Sequence, residues 1–362
     1  MSIRDVDAYA LVHATVRAFY SRMLTPETWE LLARAQDFDA LLGGLTKTVY
    51  GPYLQIEQRL LTPRRTAYQI RWHLADVYEK LIRLTPDPGR QLLIHLWQLY
   101  EVGNLKATLR GVETGASWDQ VQHLLYPMRK YITLTSADME KMVQTGTVVR
   151  AIECIPHTPY YSILAHAVRR YETEGNLFPL EVALDLAYYR WLWESIDQLT
   201  GIDHKQTLRV VGTMLDVDNL LWAIRYRVYH HLSEEEIINY TLSRGYQIRD
   251  ADIRAIAAGA DVAEVVRRIY PEAEGLELLS DHPQAGLAAL ELSLQRHIIK
   301  TCRAVFMGYP FHVGIPAAYL LLNEHEIRDL LVLIEAKSSH LPEEMFVSML
   351  EIHPLSYQSA QR

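Results

Sequence analysis

The sequence predicts an all-α protein made of three similar helical units, and three observations lead there. The first is a phrase that occurs three times. Glu101-Val-Gly-Asn104-Leu is followed by Arg110, Asp216-Val-Asp-Asn219-Leu by Arg225 and Arg227, and Glu326-Ile-Arg-Asp329-Leu by Lys337. The copies are 115 residues (219 − 104) and 110 residues (329 − 219) apart, so about three of them fill the 362-residue chain. The second is a 3.6-residue apolar period in several long stretches. The third is the near absence of strand signal: Thr147-Val-Val149 and Val210-Val211 are too short, and no alternating run is sustained.

Each unit repeats an order of elements. Leu24-Thr-Pro-Glu, Leu134-Thr-Ser-Ala-Asp and Ile248-Arg-Asp-Ala-Asp open a copy with a helix start. Short amphipathic pieces begin near Ala40, Val149 and Val262. Leu45…Thr48-Val-Tyr50 and Ile155…Thr158-Pro-Tyr160 share a phrase that the third copy, reading Ile269-Tyr-Pro271, has lost. A long helix comes next, then the landmark helix, then a polar helix start at Ser117, Ser233 or Pro342. The units run over roughly 5–130, 131–246 and 247–350, with a frayed tail over 351–362.

Individual elements follow from local chemistry. A first helix spans about Val6 to Met23, and Thr25 caps a second with Pro26 at its first position. The long helix from about Arg64 to Leu84 carries the stripe Ala67, Ile70, Leu74, Val77 and Leu81, and Pro86-Asp-Pro88-Gly89 ends it. The first landmark helix starts near Arg90 and stops at Gly111, a residue suited to a left-handed C-cap. In the second unit Leu180, Ala183, Leu184, Ala187, Tyr188, Trp191 and Leu192 form one apolar face behind Pro179. Ser233-Glu-Glu-Glu236 reads as a capping box, with Gly245 closing its helix. Leu287, Leu290, Leu294 and Ile298 repeat the stripe in the third unit.

Composition narrows the function. Hydrophobic residues are 49% and charged residues 22% of the chain, ordinary for a globular protein, and the net charge of −8 argues against nucleic acid as a partner. No signal peptide opens the chain, and no apolar run reaches the roughly 18 residues of a membrane span. The two cysteines, Cys154 and Cys302, fall in different units and read as reduced core thiols.

Catalytic motifs are missing: there is no phosphate-binding GxxxxGK[ST], no HExxH and no GxSxG. Cys154-Ile-Pro-His157 offers two metal ligands with nothing to complete a set, so neither a metal nor a cofactor is expected. His230-His231 follow a helix end and read as capping; His325-Glu326 belongs to the landmark. Glu101, Asp216 and Glu326 are candidate general acids by residue type, but a site repeated in three copies argues for architecture over one converged cleft. Asn104, Asn219 and Asp329 share a helix face with those carboxylates and suit hydrogen bonding to backbone at a helix crossing or turn. Arg110, Arg225, Arg227 and Lys337 either snorkel to solvent or form a basic ring facing a partner.

On these residues the chain resembles the C subunit of the archaeal and bacterial A/V-type rotary ATPases, the relative of the d subunit of eukaryotic V-ATPases. The match rests on the three landmark phrases and on the Leu45–Tyr50 phrase, with Asp329 standing where asparagine is usual. The resemblance covers about residues 5 to 350. It implies three units in a pseudo-threefold funnel and a non-catalytic central-stalk component on the cytoplasmic face of the membrane. It also implies two partners, the central shaft subunits (D/F type) and the membrane rotor ring, coupled during ATP-linked proton or sodium transport. A helical scaffold or adaptor unrelated to rotary ATPases is the alternative reading.

Overall fold

The computed structural model describes residues 3–57 and 60–352, and every regular element among them is helical. The chain divides into two compact units, Thr46–Leu199 and a second made of Met1–Leu45 with Thr200–Arg362.

The unit Thr46–Leu199 is built around α5 (Gly89–Glu113). Leu92, Leu93, Leu96, Trp97, Leu105 and Leu109 are buried around much of its circumference, as a core helix requires. It packs on α4 (Pro63–Leu84), α7 (Ser136–Gln144), α8 (Val148–Glu153) and α10 (Phe178–Asp197), while α9 (Tyr160–Glu174) covers α10 and α8. The α4 stripe meets α5 through Tyr78, stacked on Trp97 at 4.7 Å. Thr62 caps α4 by accepting Arg65 N–H, with Pro63 in the first turn.

The second unit is built around α17 (Gly314–Ser338), in which 314–327 are buried without interruption. Against it pack α1 (Ile3–Tyr20), α3 (Phe38–Leu45), α11 (Gly201–Thr207), α16 (Pro283–Val305) and α18 (Glu343–Val347). α2 (Pro26–Ala33) lies on α3 behind its Thr25 cap. A π turn (Leu208–Gly212) joins α11 to α12 (Thr213–Val228) without a break. α12 meets α14 (Asp250–Ala257) and α16, and α13 (Glu234–Asn239) sits on α14. The Ser233–Glu236 capping box is formed in both directions.

Tertiary contacts reassign two glycines. α5 does not stop at Gly111 but continues to Glu113, and the left-handed residue beyond it is Gly115, with φ 67°. Gly111 is helical and buried because α6 (Trp118–Val121) lies against it; a Cβ there would collide with Val121 Cγ2. Gly245 closes no helix either, since α13 ends at Asn239. It lies in a loop wrapped so tightly round Asp216 that a Cβ would strike Ile248 O and the carboxylate. Of the expected tail over 351–362, Glu351 and Ile352 are held by Asp329, and residues 353–362 lie outside the described residues.

Two glycines of α5 give opposite expectations. Gly103 is exposed with nothing near its missing Cβ, so Gly103→Ala stabilises by about 1 kcal/mol. Gly111→Ala overpacks Val121 and costs about 1–3 kcal/mol. Urea midpoints of the two variants should shift in opposite directions.

Candidate functional site: one clamp used in three copies

Glu101 and Asn104 on α5, Asp216 and Asn219 on α12, and Glu326 and Asp329 on α17 are all at most 3% exposed. A carboxylate so buried is stable only where donors converge on it. Glu101 Oε1 accepts the N–H groups of Thr133 and Leu134, both at 2.5 Å, and Oε2 accepts Tyr160 O–H at 2.7 Å. Asp216 accepts N–H groups from Tyr246 at 2.7 Å, Gln247 at 2.5 Å and Ile248 at 3.0 Å. Glu326 accepts Leu24 N–H at 2.9 Å. Leu134, Ile248 and Leu24 begin the three helix-start phrases of the sequence repeat, so each landmark carboxylate holds one of those phrases. Burial pushes the Asp216 carboxyl up from its ordinary value, and the three N–H groups only partly offset it.

The second clamp residue holds the segment after the short polar helix. Asn104 Nδ2 donates to Tyr126 O at 2.9 Å, and Tyr126 N–H donates back to Oδ1 at 2.7 Å. Asn219 does the same to Leu242, at 2.9 and 2.8 Å. An amide suits this exchange, because it offers one donor and one acceptor as a strand residue would. Asp329 faces two donors instead, the N–H groups of Glu351 and Ile352, both at 2.8 Å. An acceptor-only side chain is what that geometry needs, which accounts for the departure from asparagine.

The basic residues divide into two kinds. Arg110 makes a forked pair with Glu181 at 2.6 and 2.8 Å, and Arg225 reaches Glu291 at 2.5 Å. Glu181 and Glu291 are 110 residues apart (291 − 181) on α10 and α16, a repeat that sequence reading could have found and did not. The Arg110 side chain is 60% exposed and that of Arg225 37%. Arg227 Nη1 instead donates to Ile256 O and Ala260 O, both at 2.7 Å, and so closes the C-terminal end of α14. Lys337 is nearly buried, with Nζ 4.9 Å from the Phe346 ring centre, and burial lowers its pKa.

The remaining polar residues stay apart. His157 meets Asp138 at 3.4 Å, and Cys154 Sγ donates to Arg150 O. His325 Nδ1 is 2.5 Å from Glu351 Oε2, a contact not apparent from the sequence. Among the described residues no group of three or more His, Cys, Asp or Glu could hold a metal ion. None of their helices is long and apolar enough to cross a membrane.

A family profile described as ATP synthase (C/AC39) subunit matches residues 12–348. The chain belongs to that family. One relative is the C subunit of the A-type ATP synthase of Methanocaldococcus jannaschii, 23% identical over 351 residues (96% of this chain, 87% of the relative). That of Methanothermobacter thermautotrophicus is 26% identical over 363 residues (96% and 89%). That of Archaeoglobus fulgidus is 24% identical over 345 residues (93% and 94%). The match takes in all three landmark phrases; Glu351 and Ile352, which donate to Asp329, lie just past its end.

One position that looked lost in the third copy turns out to be half kept. Tyr160 reaches the longer Glu101, whereas the Tyr270 hydroxyl, in the copy facing the shorter Asp216, is buried without a hydrogen-bond partner among the described residues. Burial first, and the Asp216 charge second, raise the Tyr270 pKa. Tyr160→Phe should therefore cost about 1–2 kcal/mol, by leaving Glu101 one donor short, while Tyr270→Phe is neutral or stabilising. Urea unfolding of the two variants checks this.

A pH dependence follows from His325. Burial holds its imidazole below the ordinary histidine value, so on acidification the unfolded chain takes up a proton that the folded chain refuses. Its contribution is present above about pH 6.5 and is lost as pH falls below that. His325→Gln should flatten the decline of the urea midpoint between about pH 6.5 and 5 relative to the unaltered chain.

Proposed function

We propose that this chain is the central-stalk socket subunit of an A/V-type ATPase. It couples the rotating shaft to the membrane rotor ring during ATP-linked proton or sodium transport, from the cytoplasmic face and without catalysis of its own. The family match over residues 12–348 supports the setting. The observation that carries the reading is the order of the clamps. Glu101 of the first copy holds the second copy's opening, Asp216 of the second holds the third's, and Glu326 of the third reaches back to Leu24 of the first. A cyclic order of this kind supports three copies, 5–130, 131–246 and 247–350, set pseudo-threefold around a funnel. Such a body suits torque: clamps of backbone to buried carboxylate leave no copy with a free end, and close-packed cores transmit strain.

In this reading Arg110, Arg225, Arg227 and Lys337 form the basic ring, with two jobs. Arg110 and Arg225 keep exposed guanidinium surface while paired to Glu181 and Glu291, and meet acidic groups of the shaft. Arg227 and Lys337 hold the helix ends beneath them. Exposed pairs of this sort contribute about 0–1 kcal/mol each and act more on encounter than on final affinity.

The test is a variant carrying Arg110→Gln and Arg225→Gln. It should fold normally, bind purified shaft subunits about three- to tenfold more weakly at low salt, and lose part of the coupling between ATP hydrolysis and ion pumping. Unchanged shaft binding at low salt removes the ring from the shaft contact. Failure of the unaltered chain to join the ATPase removes the role itself.

A further inference from the structure

Beside the Asn104 clamp a groove of about 270 Å³ opens on the unit Thr46–Leu199, and four aromatic rings line it. Tyr68 and Trp72 come from α4, Trp118 from α6, and Tyr126 from the segment that Asn104 holds. All four are half-buried, so each keeps part of its surface open. Glu140 of α7 is the only charged side chain in the lining. Its carboxylate has no cationic partner among the described residues; the Gln144 amide, one turn along the same helix, donates to it at 3.4 Å. Four rings and one unpaired carboxylate thus border a single half-open space.

The faces of aromatic rings carry partial negative charge, so such a lining attracts a cation. Two of the rings already do so from outside the groove. Arg71 stands 4.5 Å from the Tyr126 ring centre and Arg129 4.9 Å from that of Trp72, and neither arginine is part of the lining. A guanidinium occupies one face of a ring and leaves the other, and among the described residues Tyr68 and Trp118 have no cation over them. Asp76 and Glu79 offset the charge of Arg129, and Arg71 is tied to Leu124 O. The kind of cation follows from the shortage of free acceptors. Asn104 spends both its carbonyl and its amide on Tyr126, and Gln122 is engaged with Asp119. A lysine ammonium brings three N–H donors and a guanidinium five, and a donor left unpaired out of water costs binding. A quaternary ammonium has no N–H to satisfy, and aromatic cages bind it by charge and shape alone.

We propose that this groove binds a quaternary ammonium group, with Tyr68, Trp72, Trp118 and Tyr126 as the cage and Glu140 as the counter-charge. The ligand is a small free solute with a trimethylammonium head; the same head on a membrane lipid is the other source, and the test separates the two. Because the walls come from α4, α6 and α7, a bound ligand ties these helices together and stabilises the fold that holds them. The site stands on this unit's own lining and does not depend on the central-stalk reading.

The test uses the full chain and choline chloride as probe, with sodium chloride at equal concentration as the reference. Choline should change tryptophan fluorescence saturably and raise the melting temperature, and sodium chloride should do neither. Neohexyl alcohol, the uncharged carbon isostere of choline, should bind about tenfold more weakly, because it has the shape without the charge. Trp118 is the first residue of its short helix, where α13 has Glu234 and α18 has Glu343, so such a helix does not require an indole there. Trp118→Leu should therefore keep its fold and bind choline about tenfold more weakly. Glu140→Gln should weaken choline about three- to tenfold and leave the melting temperature without ligand unchanged. No saturable response to choline, equal binding of neohexyl alcohol, or unaltered affinity in both variants overturns the proposal. So does binding to phosphatidylcholine vesicles by a chain that does not bind free choline.

Discussion

The structure depends on one constraint: a carboxylate taken out of water must be surrounded by donors. Glu101, Asp216 and Glu326 are buried to 1% exposure or less, and each accepts a backbone N–H from one of the three helix-start phrases, at Leu134, Ile248 and Leu24. Each charge-assisted contact is short and strong, and removing the acceptor leaves N–H groups buried and unpaired. The chain openings are thus positioned by landmark helices far away in sequence. Asp216 reaches residues 30 to 32 positions on, and Glu326 reaches one 302 positions back.

Variation between copies follows from the same constraint. Asn104 and Asn219 meet one N–H and one C=O, and Asp329 meets two N–H groups, so the side chain changes with the donors it faces. Asp216 is one methylene shorter than Glu101; it gains a third backbone N–H, and the buried Tyr270 hydroxyl of the third copy has no hydrogen-bond partner among the described residues. Where the clamp imposes nothing, the copies diverge freely. The positions of Tyr68, Trp72 and Trp118 carry alanine, serine, histidine or glutamate elsewhere in the repeat.

The all-helical character, the long apolar stripes and the caps at Thr25 and Ser233 were legible in the sequence, because helix periodicity and capping are set by residues within a few positions of each other. The landmark phrases were legible as a repeat for the same reason. Gly111 and Gly245 were misread as helix ends because a glycine can mean a left-handed turn or a close approach. Val121 and Asp216, the neighbours that settle the matter, are 10 (121 − 111) and 29 (245 − 216) residues away.

The sequence by itself determined the helical class, the repeat, and which acidic, amide and basic residues recur in it. Tertiary structure alone decided what those residues hold: Glu101 on Thr133 and Leu134, Glu326 on Leu24, Arg110 on Glu181 and Arg227 on the end of α14. It also decided that Glu351 and Ile352 belong to the folded body. The physical reason is that periodicity and caps are local, whereas a buried charge is satisfied by whichever backbone donors folding brings to it, and sequence spacing does not encode that distance.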